Sequence, residues 1–444
     1  MTFSHGRLTA SLVTGVLGLS LLTIASPATA TSEPDPLWYY NVLGYEGIHD
    51  SGVTGEGVTI AVLDSPINLE IPTLQGADIR VQPSVCVDEN GVPRPSTSTD
   101  VDVAQHGTNI VSYLVGTGAG YDGQTGVKGV APGATVLYFP LHDPETTDCY
   151  VGTGADPLEG SVTREFGLAM QAAVAAGPDI ISVSVSGVGT DLMLDVMSDA
   201  VRKGIVVVAG LGNSDGESED GAPATLNGAV SVLGAQSNGE LNLGVGGPNT
   251  SEYVLVVGPG WEILSQGNEG NWANQRVRSG SSIATPIVAG TLALAFHKYP
   301  DATGNQILQS MIHNTGTVSG EPVWDPTFGY GFVVPTTLLA ADPTQYPDAN
   351  PLLIELSGDD VLIDEKTHND LGQPWRAPFV EDIFPEGVPP TVAPTDNPSA
   401  TPSPSSEGAS GGSLGTIALV GGIAVLALLV IIVIVIAVTR KKTT

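Results

Sequence analysis

Six short apolar runs alternate with helix-period segments through most of this chain, and that alternation narrows its fold more than any other feature. The runs are residues 58–63, 135–139, 179–185, 204–210, 229–233 and 253–257. Their near-continuous apolar character reads as strands buried on both faces rather than half-exposed ones. Between them, 162–176 sets Phe166, Ala169, Met170, Ala173 and Val174 on one helical side, and 192–203 does the same with Leu192, Val196 and Val201. Strand followed by helix, repeated, gives an α/β fold: a doubly wound parallel sheet with helices on both faces and right-handed crossovers.

The two ends carry different signals. Residues 1–30 have a weakly basic start (His5, Arg7), an apolar run from 8 to 24 and Ala28-Thr29-Ala30, the pattern of a secretory signal peptide cut after Ala30. Residues 414–438 are an apolar run with glycines and one Thr, long enough for a C-terminal transmembrane helix. Arg440, Lys441 and Lys442 follow it, which predicts a single pass with the large domain extracellular and the C-terminus cytoplasmic, in the cell membrane. Residues 385–413 are rich in Pro, Ser, Thr and Gly and read as an extended linker. The expected order is signal peptide 1–30, N-terminal arm 31–52, main domain 53–344, acidic extension 345–384, linker 385–413, membrane span 414–438 and tail 439–444. A net charge of −32 argues against nucleic acid as a partner. Export permits a disulfide between the two cysteines, Cys86 and Cys149, worth about 4 kcal/mol by loop closure; two free thiols are the other reading.

Three residues carry chemistry. Asp64 ends the first buried run, at the strand edge where open α/β sheets hold their sites. His106 stands at the start of a helical segment, 105–116, within His106-Gly107-Thr108. Ser282 lies where the small-residue turn from Ser279 meets the apolar helix 283–296, so free backbone N–H groups and the helix dipole favour negative charge beside its hydroxyl. Each has an ordinary alternative: a turn cap for Asp64, an exposed side chain for His106, an N-cap for Ser282. Together, Asp, His and Ser at the edge of one parallel sheet are the parts of an oriented base and its nucleophile.

On these motifs the chain resembles the subtilisin-like serine peptidases, over roughly 53–342. The carrying stretches are V-T-I-A-V-L-D-S at Asp64, H-G-T at His106, V-V-V-A-G-L-G-N at Asn213 and G-S-S-I-A-T-P at Ser282, supported by V-K-G-V-A-P at 127–132 and G-P-G at 258–260. The resemblance implies that Ser282 attacks a peptide carbonyl, that His106 moves the proton and that Asp64 orients His106. It also implies that Asn213, with the backbone N–H of Ser282, holds the oxyanion. A protein or peptide substrate would lie as an added strand along Ser184, Val185, Ser186, Gly210 and Gly212. No metal and no cofactor are implied.

Within that family the layout is most similar to the mycosins, membrane-anchored peptidases of type VII secretion, which implies secretion-complex membrane proteins as partners. The two dozen or so residues between Ala30 and Val53 are too few for an independently folding prodomain. Departures from the family pattern are Asn109 where many relatives have a second His, Ser281 before the nucleophile, and Val185-Ser186 at the substrate edge. The acidic run Asp215, Glu217, Glu219 and Asp220 reads as a solvated loop; bordering a specificity pocket, it would favour a basic side chain before the scissile bond. A rival reading of a different class is a structural component of a secretion complex whose peptidase activity is slight or dispensable.

Overall fold

The apolar runs pair into a single sheet. The computed structural model describes residues 35–143, 148–150, 161–187, 189–213, 221–242, 250–316 and 322–353. In chain order the helices are α1 (Trp38–Val42), α2 (Tyr45–Asp50), α3 (Val101–Val115), α4 (Ser161–Ala176), α5 (Asp191–Arg202), α6 (Ser281–Lys298), α7 (Gly304–His313) and α8 (Pro335–Ala340). The strands are β1 (Thr59–Asp64), β2 (Ile79–Val81), β3 (Thr117–Ala119), β4 (Thr125–Lys128), β5 (Thr135–Pro140), β6 (Ile180–Val183), β7 (Val206–Gly210), β8 (Val230–Ala235), β9 (Val256–Pro259), β10 (Ile263–Asn268) and β11 (Asn271–Arg278).

Seven strands form the main sheet in the order β2-β5-β1-β6-β7-β8-β9, every pair parallel. Alternation along each strand divides the core in two. Ile60 and Val62 of β1, Ile180 of β6 and Val206 and Val208 of β7 pack with α3 and α6. Ala61 and Leu63, Ile181 and Val183, and Val207 and Ala209 pack with α4 and α5 on the opposite face. Each of these Ile, Leu and Val side chains contributes about 1.5–3 kcal/mol on burial. Helix α6 is buried nearly all round from Ile283 to Ala295, so it has no polar stripe and runs through the core. The chain leaves β1 toward β5 and later returns to its other side at β6. The crevice at this reversal, outside the C-terminal strand ends, is where such sheets hold their sites.

The arm is helical and stitched to the domain. Tyr45 Oη bonds Thr291 Oγ1 at 2.6 Å, Trp38 Nε1 donates to the Trp261 carbonyl at 2.8 Å, and Tyr39 Oη donates to the Lys128 carbonyl at 2.5 Å. At the other end the packed chain continues past residue 344: Asp348 Oδ1 accepts from Thr303 Oγ1 at 2.7 Å, and Leu352 is buried in the α3/α6 core.

Three local readings change. Helix α3 begins at Val101, capped by Asp100, whose carboxylate accepts from the Asp102 N–H at 3.0 Å. His106 therefore sits in the second turn rather than opening the helix. Strand β6 ends at Val183, so Ser184 lies just beyond the ladder. The antiparallel hairpin β10–β11 had no strand signal, because its buried Ser265 and Gln266 are polar and no residue of β11 is buried. Among the described residues no helix is long and apolar enough to cross a membrane. The signal peptide, the linker, the predicted span 414–438 and the tail lie outside the described residues.

Cys86 and Cys149 are joined in a disulfide with their Cα atoms 5.1 Å apart. Beside it, His142 Nδ1 pairs with Glu165 Oε1 at 2.9 Å and His142 Nε2 faces the Pro95 carbonyl at 3.2 Å, so the loop after β2 is held from two directions. The Cys86 sulfur lies close to His142 and Glu165, but its place in the disulfide removes the thiolate that a metal would need. Replacing both cysteines by serine is expected to lower the unfolding free energy by about 2–5 kcal/mol, read from the urea midpoint.

Candidate active site

Burial sets the first member of the site. Asp64 is the last residue of β1 and is fully buried. Its Oδ1 accepts from the Ser65 N–H at 2.8 Å and meets His106 Nδ1 at 2.6 Å, while its Oδ2 has no partner. That contact fixes the tautomer: Nδ1 carries a proton toward the carboxylate, leaving Nε2 to exchange one. The next residue along α3 must be glycine. A Cβ on Gly107 would fall 1.9 Å from Tyr138 Oη, 2.5 Å from the Ser65 carbonyl and 3.2 Å from Asp64 Oδ1. Burial first, and then the Asp64 charge, push the Tyr138 phenol well above its ordinary range, so it stays a neutral donor and bonds the Ser65 carbonyl.

His106 feels opposed effects. Burial pulls its imidazole down, while the charge and hydrogen bond of Asp64 raise it; the net position is above the ordinary 6.5. The side chain is still 46% exposed, so the ring is open to an incoming molecule.

Helix α6, which carries Ser282, has a defect built into its first turn. Pro286 has no N–H, so the Ser282 carbonyl four residues earlier lacks its usual helical donor. The Ser184 hydroxyl supplies one instead, donating to the Ser282 carbonyl at 2.9 Å. Ser281 faces the other way: its N–H donates to Asn213 Oδ1 at 2.8 Å, and its hydroxyl reaches Asn213 Oδ1 and the Leu211 carbonyl. A backbone N–H can only donate, so Oδ1 is fixed as the acceptor and Nδ2 is the free end of the carboxamide. A Cβ on Gly280 would sit 3.2 Å from Ser282 Oγ, 3.4 Å from Asn213 Oδ1 and 3.5 Å from Asn213 Nδ2, so the hydroxyl and the carboxamide both lie close to Gly280.

The predicted substrate edge lies at the ends of β6 and β7. Ser184 is buried, Val185 half-buried and Ser186 exposed. Gly210 closes β7, where a Cβ would come within 2.8 Å of Thr285 Oγ1; Gly212 is half-buried two residues on. The Ser184 side chain is thus committed to the backbone of Ser282. The sequence pointed to Ser184 and Ser281 by motif position, but not to their bonds with the Ser282 carbonyl and with Asn213; Pro286, four residues after Ser282, is the one signal that a donor is needed there. The acidic residues 215, 217, 219 and 220 lie outside the described residues.

Residues 55–331 match the family model described as the Subtilase family, peptidase S8. The chain belongs to the subtilase family. It is 28% identical to Subtilisin E of Bacillus subtilis (strain 168) over 290 residues, which is 64% of this chain and 66% of that protein. This subtilase is also 29% identical to Mycosin-1 of Mycobacterium tuberculosis (strain ATCC 25618 / H37Rv) over 330 residues, 64% of this chain and 69% of that one. Its fold matches the structure of the MycP3 protease from the type VII (ESX-3) secretion system with a TM-score of 0.54 and 21% identity, over 71% of this chain and 90% of that chain.

Two outcomes follow from the geometry. By NMR, the His106 imidazole should titrate above 6.5 in the folded protein, and Asp64→Asn should lower it, because the charge and the charged hydrogen bond that raise it are removed. A raised folded value stabilises the protein below the unfolded pKa, and that contribution is lost as pH rises through the folded value. Ser184→Ala should lower stability by about 0.5–1.5 kcal/mol in urea unfolding, the net worth of one lost hydrogen bond to a part-buried carbonyl.

Proposed function

We propose that this subtilase is a serine endopeptidase in which Asp64, His106 and Ser282 form the catalytic triad and Asn213 is the side-chain oxyanion donor. The observation that carries the reading is the 2.6 Å contact between His106 Nδ1 and the buried Asp64 carboxylate, together with an Asn213 carboxamide whose Nδ2 is left free beside Ser282. Ser282 Oγ attacks the peptide carbonyl as His106 Nε2 takes its proton. The C–N bond then breaks, and the same proton passes from Nε2 to the leaving amine. Water repeats the sequence on the acyl-enzyme and restores Ser282. Charge develops on the carbonyl oxygen, where Asn213 Nδ2 and the Ser282 N–H at the start of α6 stabilise it; removal of one such donor typically costs a factor of about 10²–10³. The substrate chain runs along 184–186 and 210–212 as an added strand.

The enzyme works outside the membrane, held by the apolar span 414–438 with its basic stop, and is linked to protein secretion as a mycosin-like peptidase. Support comes from the signal-like N-terminus, the span itself, and similarity to Mycosin-1 and to a protease described as part of a type VII secretion system.

The test is labelling of the full-length chain with a fluorophosphonate probe, with Ser282→Ala as control. Labelling should vanish in the variant and should rise with pH as His106 loses its proton, with a midpoint above 6.5. Asp64→Asn is expected to cut peptide kcat by about four orders of magnitude. A folded wild type that never labels would overturn the peptidase reading. In cells, secretion that survives Ser282→Ala but not deletion would assign the secretion role to the protein's presence in a complex rather than to cleavage.

A further inference from the structure

Two guanidinium groups meet beside the candidate base without an acid between them. Arg276 and Arg278 share one face of β11, and both donate from Nη2 to the same oxygen, Gln105 Oε1; the Arg276 contact is 2.7 Å. Gln105 is the residue before His106, and Arg278 is four residues before Ser282. Neither arginine has an ion pair among the described residues, and the buried Nε of Arg276 has no partner. This is unexpected in a chain with 47 acidic and 15 basic residues. Two like charges converging on one neutral oxygen repel each other, and an arriving carboxylate would relieve that repulsion through charge-assisted hydrogen bonds.

The pair is held in place rather than swinging free. Asn109 Oδ1 accepts from the Gln266 N–H at 2.7 Å and its Nδ2 donates to the Gln266 carbonyl at 2.8 Å, fixing β10 to α3. Trp272 Nε1 donates to the Thr99 carbonyl at 2.7 Å, and Gln105 Nε2 donates to the Gly267 carbonyl, fixing the rest of the hairpin to the start of the same helix. A preformed fork of this kind needs little further ordering to bind.

Resting on the peptidase reading, we infer that Arg276 and Arg278 form an anion subsite that accepts an aspartate or glutamate side chain in the first two positions after the scissile bond. The acyl half of the substrate would occupy the β6–β7 side, along 184–186 and 210–212. The leaving amine takes its proton from His106, and the chain beyond it passes Gln105 and β11. Arg278 is exposed and Arg276 half-buried, so the fork is reachable from that path.

The test compares peptides that differ only in one of these two positions, carrying Glu, Gln or Lys. For the full-length enzyme, kcat/KM should favour Glu over Gln by about tenfold at low salt, with the preference shrinking as salt rises. Arg276→Gln with Arg278→Gln should bring the Glu/Gln ratio to about one. Arg276→Glu with Arg278→Glu should favour Lys. The ratio within each variant is the readout, so a general loss of activity cancels. Binding of the same peptides to Ser282→Ala, read by fluorescence anisotropy, needs no turnover. Equal affinity for Glu and Gln peptides there, or a Glu preference that survives loss of both arginines, overturns the subsite. Discriminating binding without any fluorophosphonate labelling of the wild type would instead overturn the peptidase reading and leave the subsite standing.

Discussion

A carboxylate buried at the end of a central strand is the constraint around which this protein is built. Taking a charge out of water costs several kcal/mol unless its oxygens find partners. Asp64 places one oxygen between the Ser65 N–H and His106 and leaves the other without a partner. The arrangement holds only because α3 lies close against β1. Gly107 permits that approach, and the Gly107 N–H donates to Ser65 Oγ at 3.0 Å while Thr108 Oγ1 accepts from the Asn68 N–H at 2.9 Å. The loop leaving β1 is thus bonded to the helix that carries His106. The distance between acid and base is set by the packing of a helix on a sheet, not by two flexible side chains finding each other.

The serine side of the site depends on a second strand–helix contact. Pro286 would ordinarily weaken a helix by deleting one bond and crowding the turn before it. Here the open carbonyl of Ser282 is closed by Ser184, which lies just past β6. The same first turn presents Ser281 to Asn213, just past β7. Helix α6 is therefore pinned at its start by residues leaving two adjacent parallel strands, while its remaining length is locked in the core. Both pins act on backbone atoms at or next to Ser282, so the position of that residue follows from the sheet register.

How much of this could be read in the sequence depends on which groups are buried. Runs 58–63, 135–139 and 204–210 correspond closely to β1, β5 and β7, because strands covered on both faces need apolar residues at every position. The motifs singled out Asp64 and His106, and the structure brings these two into contact. The start of α3 was not legible, since Val101 to Ala104 shows no helical period and its cap, Asp100, follows a polar loop. Edge strand β2 is three residues long and half-exposed. The β10–β11 hairpin buries Ser265 and Gln266, which carry no apolar signal, and its ladder is completed by side chains from α3 that no local pattern can supply.

That hairpin also gives a physical meaning to a departure from the family pattern. Asn109 stands where many relatives carry a second histidine. Its carboxamide bonds both the N–H and the C=O of Gln266, one residue of β10. A carboxamide can do this because its acceptor and donor project side by side from one carbon. An imidazole has its two nitrogens on opposite flanks of the ring and cannot address one backbone residue in the same way. Gln105, Arg276 and Arg278 belong to the same α3–hairpin interface. The departure at residue 109 and the arginine pair are therefore parts of one interface, in which the clamp that fixes the hairpin also brings its guanidinium groups to the edge of the site.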